Sequence, residues 1–256
     1  MSRPLPGKPI CVKNVVLGGA VPLVCVPLVG RSRAEVLAEV ENLSRVAPDI
    51  IELRVDAWEE IEDADASLSL LAEMRRLVAL PVILTCRGHW EGGVKEVSEG
   101  AKDALYAGAV TQRLVDFVDK ELSYGPAKLA ELKGLAAPNG VSLIVSYHDF
   151  QKTPSMPFIY AQLARQIACG ADVAKVALMP QSEEDVLKVF EATLATRRDF
   201  PDTPLITMSM GRLGQISRIA GGLYGSDLTF AVGSAASAPG QIPVREMRGS
   251  FELIYR

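Results

Sequence analysis

The chain has 256 residues, 48% of them hydrophobic and 23% charged, enough to bury a large core in one domain spanning residues 1–256. A net charge of -4 and a pI near 5.4 leave no global basic surface, which argues against nucleic acid or an anionic membrane as a partner. Cys11, Cys25, Cys86 and Cys169 fall singly, without zinc spacing or a disulfide framework, and the opening MSRPLPGKPI has no signal-like pattern. The expectation is a reduced, cytoplasmic protein.

In chain order, ICVKNVVLGG reads as a hairpin. It is followed by eight short apolar runs: VPLVCVP, DIIELRVD, PVILTCR, LVDFVD, SLIVSYH, DVAKVAL, PLITMSM and LTFAVG. Between them lie stretches of helical spacing. In RSRAEVLAEVENLSRV, for example, Val36, Leu37, Val40 and Leu43 share a face, and Ser32 with Glu35 makes a capping box. Near-continuous apolar strands alternating with amphipathic helices predict a parallel sheet covered by helices. Eight such units predict an α/β fold of the (β/α)8 TIM-barrel type, with the hairpin closing its bottom. A doubly wound open sheet is the alternative architecture.

In a barrel, reactive groups gather at the C-terminal ends of the strands, so polar residues late in the runs carry the information. Glu52 and Arg54, two apart, share one face of their strand, either as a polar pair aimed into a pocket or as a structural salt bridge. Arg87 ends PVILTCR, Glu91 follows in the Gly-rich EGG loop, His148 ends SLIVSYH, and Ser209 ends ITMS. Lys175, flanked by Val173, Ala174, Val176 and Ala177, is either an ion-paired barrel lysine or a desolvated amine able to attack a ketone and form an imine. His148 titrates near neutrality and can move protons beside such an imine. Glu91 either accepts the second ring hydrogen of that histidine and fixes its tautomer, or is a solvated loop carboxylate. His89 reads as a surface residue or as one that supports the site from behind. Arg218, near a helix start in GRLGQISRIAGG, has the fork geometry to grip a carboxylate. Ser237 and Gln241 in SAASAPGQIP suit a small-residue lid with hydrogen-bonding groups.

Taken together and in order, ELRVD, TCRGHWEGG, SYHDF, VAKVA, ISRIAG and SAPGQ resemble the type I 3-dehydroquinate dehydratases over nearly the whole chain. The resemblance implies that Lys175 forms an imine with the ketone of 3-dehydroquinate, that His148 moves protons, and that Glu91 orients His148. It further implies that Glu52, Arg54 and Arg87 hold hydroxyl groups, that Arg218, Ser237 and Gln241 hold the carboxylate end, and that the enzyme is a homodimer of the shikimate pathway using no metal or other cofactor. One departure is Pro27, where many members have serine at the end of the first strand, so one hydroxyl contact is expected to be missing. Two other readings stay open on the residues alone: a class I aldolase acting on phosphorylated sugars, and an inactive barrel that binds a small anionic metabolite.

Overall fold

The computed structural model describes residues 3–233 and 235–255. A hairpin of β1 (Ile10–Val12) and β2 (Val15–Leu17) is antiparallel, with Ile10 opposite Leu17. Eight strand-helix units follow: β3 (Leu23–Leu28) with α1 (Arg33–Val46), β4 (Ile50–Arg54) with α2 (Ala64–Leu77), β5 (Val82–Thr85) with α3 (Glu99–Thr111), and β6 (Phe117–Glu121) with α4 (Gly125–Ala136). The second half continues through β7 (Ser142–Asp149) with α5 (Met156–Ala168), β8 (Val173–Leu178) with α6 (Glu183–Asp199), β9 (Leu205–Ser209) with α7 (Gln215–Ala220), and β10 (Leu228–Val232) with α8 (Val244–Ile254). A short β11 (Ile242–Pro243) pairs in parallel with the end of β10.

Strands β3 to β9 pair parallel in sequence order and β10 pairs with β3. The ring closes at a narrow seam between β9 and β10, where the Asp227 amide donates to the Leu205 carbonyl at 2.7 Å and the Leu205 amide donates to Asp227 Oδ2 at 2.8 Å. The fold is therefore a TIM-barrel-like α/β structure rather than an open doubly wound sheet.

Pleating sorts each strand into two faces. Val24, Ile51, Leu84, Val118 and Val145 point outward and meet the helices, while Cys25, Ile50, Ile83, Phe117, Ile144, Val173, Ile206 and Leu228 point into the barrel. This inner apolar layer lies at the N-terminal ends of the strands. Leu17, Ile10, Val12 and Val15 of the hairpin pack against it, so the hairpin plugs the bottom as its sequence suggested. The predicted face of α1 is present, with Val36, Val40 and Leu43 buried, Leu37 half-buried, and both bonds of the Ser32–Glu35 capping box made. With the bottom filled by hydrocarbon, the polar inward positions all fall in the upper half.

Pro27 sits inside β3, opposite Glu52. A proline in a central strand normally removes a ladder bond. Here the Leu23 amide points toward β10, and so by alternation does position 27. Pairing with β10 ends at Cys25, so the missing N–H has no ladder bond to lose.

Candidate active site

One cavity opens at the C-terminal ends of the strands, and Glu52, Arg54, Arg87, Glu91, His148, Lys175, Arg218, Ser237 and Gln241 all line it. Four strands supply its polar floor by the same rule of two. Ile50, Glu52 and Arg54 climb β4, Phe117, Asp119 and Glu121 climb β6, Ile144, Ser146 and His148 climb β7, and Val173, Lys175 and Ala177 climb β8. Register sets Ser146 beside Lys175 and His148 beside Ala177, so the histidine stands one pleat above the lysine on the adjacent strand.

Lys175 is 4% exposed, and its Nζ donates to Asp119 Oδ2 at 2.7 Å, lies 3.5 Å from Glu52 Oε1 and sits 4.7 Å from the centre of the Phe230 ring. The apolar flanks that suggested a desolvated amine do not surround it. Ala174 and Val176 point to the opposite face and pack under α5 and α6 with Ile159, Leu163 and Val189. The inward neighbourhood is ionic, and the lysine is ion-paired.

Asp119 is the hub. Its Oδ2 also meets Arg87 Nη2 at 3.0 Å, and its Oδ1 accepts Ser146 Oγ at 2.6 Å. Burial alone would raise this carboxyl, but Arg87 and Lys175, with His148, outweigh it and hold Asp119 well below the usual carboxylate range. Arg87 Nη1 donates to Glu121 Oε1 at 2.7 Å and to Ser146 Oγ at 2.8 Å. Arg54 does not pair with Glu52 as the two-residue spacing suggested. It forks onto Asp56 with two bonds of 3.0 Å, while Glu52 accepts the Thr85 hydroxyl at 2.9 Å. Asp56, in turn, accepts the Arg87 amide at 3.2 Å and the Val94 amide at 2.9 Å, tying the loop after β5 to the barrel mouth.

Glu91 and His148 meet directly. Glu91 Oε2 accepts the His148 backbone amide at 2.8 Å and lies 3.0 Å from His148 Nδ1. Burial pushes the Glu91 carboxyl up to about 8. Burial, reinforced by Arg87 and Lys175, drives the His148 imidazole well below its ordinary 6.5, so the ring is neutral at pH 7. Because Oε2 is already an acceptor for the adjacent amide, a proton on this carboxyl belongs on Oε1. Oε2 then accepts Nδ1–H as well, leaving Nε2 as the unprotonated nitrogen. Gly92 places this loop: at φ +87 its Cα lies so close to Phe150 that an added Cβ would come within 2.3 Å of the ring.

Arg218, 2% exposed on α7, donates from Nη2 to the Pro239 carbonyl at 3.0 Å and from Nη1 to the Phe230 carbonyl at 3.4 Å, with Met208 Sδ also 3.4 Å away. It has no carboxylate partner among the described residues, and burial lowers its guanidinium to about 10. Ser237 and Gln241 bond each other, Gln241 Oε1 accepting the Ser237 amide at 2.9 Å and Gln241 Nε2 donating to Ser237 Oγ at 3.1 Å.

All nine sequence candidates therefore meet at one cavity, but Ser209 does not. Met208 and Met210 take the inward positions of that run, which turns Ser209 outward, where its amide donates to Ser217 Oγ at 2.8 Å. His89 is exposed, as read from the sequence. Asp119, Glu121 and Ser146 were missed. For the first two the signal was present, since the strand runs Phe117–Glu121 rather than stopping at Asp119, and DKE repeats the two-residue spacing that drew attention to ELR.

The comparisons with known proteins agree with this geometry. A family model for type I 3-dehydroquinase matches residues 24–256. The 3-dehydroquinate dehydratase of Aromatoleum aromaticum is 43% identical over 245 residues, covering 95% of this chain and 94% of its own. That of Klebsiella pneumoniae strain 342 is 41% identical, covering 96% and 98%. The 3-dehydroquinate dehydratase structure from Geobacillus kaustophilus superposes with a TM-score of 0.94 at 38% identity, covering 99% of this chain and 98% of its own. The type I 3-dehydroquinate dehydratase of Clostridium difficile, solved with covalently modified comenic acid, gives 0.93 at 37% identity, covering 97% and 98%. Filled below by hydrocarbon and lined above by the motifs in their expected order, this chain belongs to the type I 3-dehydroquinase family.

Proposed function

We propose that the protein dehydrates 3-dehydroquinate to 3-dehydroshikimate, a step of the shikimate pathway, through an imine on Lys175. One observation carries the reading: a buried lysine amine, a neutral histidine and a buried guanidinium without an anion line the same cavity. An imine-forming amine and an acid-base group serve the elimination, and the guanidinium takes the substrate carboxylate.

Lys175 Nζ attacks the C3 ketone, whose oxygen leaves as water, and the resulting iminium draws electrons from C2. Nε2 of His148 removes the C2 proton, giving the enamine. Return of the electrons then expels the C1 hydroxyl, which takes the proton from His148 and departs as water. Water finally hydrolyses the conjugated imine and frees the lysine. Glu91 holds the histidine in the Nδ1–H tautomer. Glu52, Arg54 and Arg87 serve the hydroxyls, and Arg218, Ser237 and Gln241 serve the carboxylate end. The homodimer implied by the family and a cytoplasmic setting belong to the same proposal; among the described residues, no helix is long and apolar enough to cross a membrane.

The test is to mix protein and 3-dehydroquinate, add borohydride, and map the adduct by intact mass and peptide analysis. An adduct on Lys175, with conjugated product appearing in the untreated sample, is expected. Lys175→Ala abolishes both; appreciable turnover in that variant would overturn the covalent route.

A further inference from the structure

We infer that Asp119 is a further catalytic residue of this reaction, the counterion that keeps the Lys175 imine protonated from its formation to its hydrolysis. The inference rests on the imine route proposed above.

A ketone and an ammonium give an iminium and water: two of the three Nζ protons leave on the carbonyl oxygen, one stays on nitrogen, and the charge of +1 is unchanged. The carboxylate that pairs with the ammonium is therefore matched to the iminium without gaining or losing a proton. Asp119 Oδ2 accepts from Nζ at 2.7 Å, and the one N–H left on the iminium has the same acceptor in front of it.

Burial makes the counterion necessary. With the lysine side chain 4% exposed, an imine nitrogen here has almost no water to stabilise its charge, and desolvation favours the neutral imine. A neutral imine is a poor electron sink, and the C2 hydrogen would lose its acidity. An anion in contact reverses this.

Among the groups facing Nζ, Asp119 is the one fitted to the role. Glu52 is at 3.5 Å and already accepts the Thr85 hydroxyl. Glu121 is tied to Arg87 and the Gly88 amide, and Glu91 to His148. Arg54, Arg87 and a protonated His148 would all repel the iminium, and the Cys25 thiol is pushed well up by burial and stays neutral. Asp119 alone is fully buried, held ionised, and in contact with the nitrogen. Ser146 and Arg87 fix its two oxygens, so it needs no rearrangement when the imine forms.

Asp119→Asn keeps the shape and removes the charge. The experiment measures borohydride trapping of the substrate adduct against pH, because hydride reduces the protonated imine far faster than the neutral one. Removing an opposite charge in contact is expected to shift the upper limb of the trapping profile down by about one to three pH units, with at least a tenfold loss of trapped adduct at pH 8. Ser146→Ala, which removes a bond to Asp119 but no charge, should leave the limb in place. A folded Asn variant with an unchanged limb overturns the counterion role while leaving the lysine route intact. If wild type yields no adduct at any pH, the functional reading itself fails and this inference with it. Should the Asn variant not fold, the wild type still decides: with 15N at lysine Nζ, the enzyme-bound imine must report an iminium shift from pH 6 to 9, and a neutral imine at pH 7 overturns the proposal.

Discussion

Two buried arginines at opposite ends of the barrel show how the same side chain is used for stability and for binding. At the bottom seam, Arg197 donates to Asp227 Oδ2 at 2.5 Å and to the carbonyls of Thr203 and Gly225 at 2.8 Å, and Arg3 pairs with the other oxygen of the same fully buried Asp227. At the top, Arg218 is equally buried but, among the described residues, meets only two carbonyls and a thioether. Among the described residues each guanidinium leaves its Nε without a partner, so the difference lies in the anion. The lower one has its carboxylate built in, across the joint between β9 and β10. The upper one lacks it, and the missing charge faces a cavity.

Breaking the built-in pair should have the largest effect. Asp227→Asn leaves two arginines buried without a counter-charge at the narrow seam, and a loss of about 3–5 kcal/mol in denaturant unfolding is expected, with kcat/KM of the folded fraction changed by no more than about twofold. A loss of activity without loss of stability would erase the distinction between the two ends. The complementary change, Arg218→Met, should do the opposite. Removing a desolvated cation that lacks an anion is expected to stabilise the protein by about 1–2 kcal/mol while kcat/KM falls by about a hundredfold, chiefly through KM. A destabilised variant with unchanged KM would show that Arg218 is structural, like its counterpart below.

The lower half of the molecule was the more legible in sequence. Strands buried on both faces read as apolar runs whatever their pairing, so DIIELRVD or DVAKVAL announced themselves, and the capping box of α1 is local chemistry. In the upper half, sequence spacing recovered which residues reach the cavity but not whom they pair with. Arg54 turned from Glu52 to Asp56, two residues on in the turn that ends β4, and Lys175 found Asp119 two strands away, a pairing set by register, which a single strand does not encode. Asp227 gave no signal at all: in YGSDLTF it reads as an ordinary turn aspartate, and its importance comes from two arginines 30 and 224 residues away.

A smaller effect separates the two ends by pH. Glu91 has a folded-state value near 8 against an ordinary 4.5, so between these values the folded chain holds a proton that the unfolded chain has released, and stability falls as pH rises. His148, lowered from 6.5, acts oppositely below that pH, where the unfolded chain binds the extra proton. Below about 6.5 the two slopes oppose each other, and above it the Glu91 slope stands alone, a net fall of at most about 2 kcal/mol from 6.5 to 8. Glu91→Gln should flatten that segment in urea unfolding measured at half-unit pH steps, whereas Asp227→Asn should lower the curve without flattening it. If Glu91→Gln keeps the slope, the carboxyl is not the group that titrates there.

The smallest expected effect belongs to Pro27. Its missing N–H would point toward β10 beyond the last paired residue, so Pro27→Ser restores no ladder bond and adds a buried backbone donor without a ladder acceptor. A stability loss of about 1 kcal/mol is therefore expected, from the unpartnered amide together with the extra freedom of the unfolded serine. The hydroxyl is another matter. Position 27 is inward-facing and opposite Glu52, at the edge of the polar floor, so a serine there adds one hydrogen-bonding group next to the substrate hydroxyls. One neutral bond contributes about 0.5–1.5 kcal/mol, which predicts a KM lowered by roughly two- to tenfold with kcat little changed, since the group lies away from Nζ and the histidine. A KM that does not move would mean that position 27 is out of reach of the ligand and belongs with the structural lower half; a kcat that rises with it would mean the contact strengthens in the transition state.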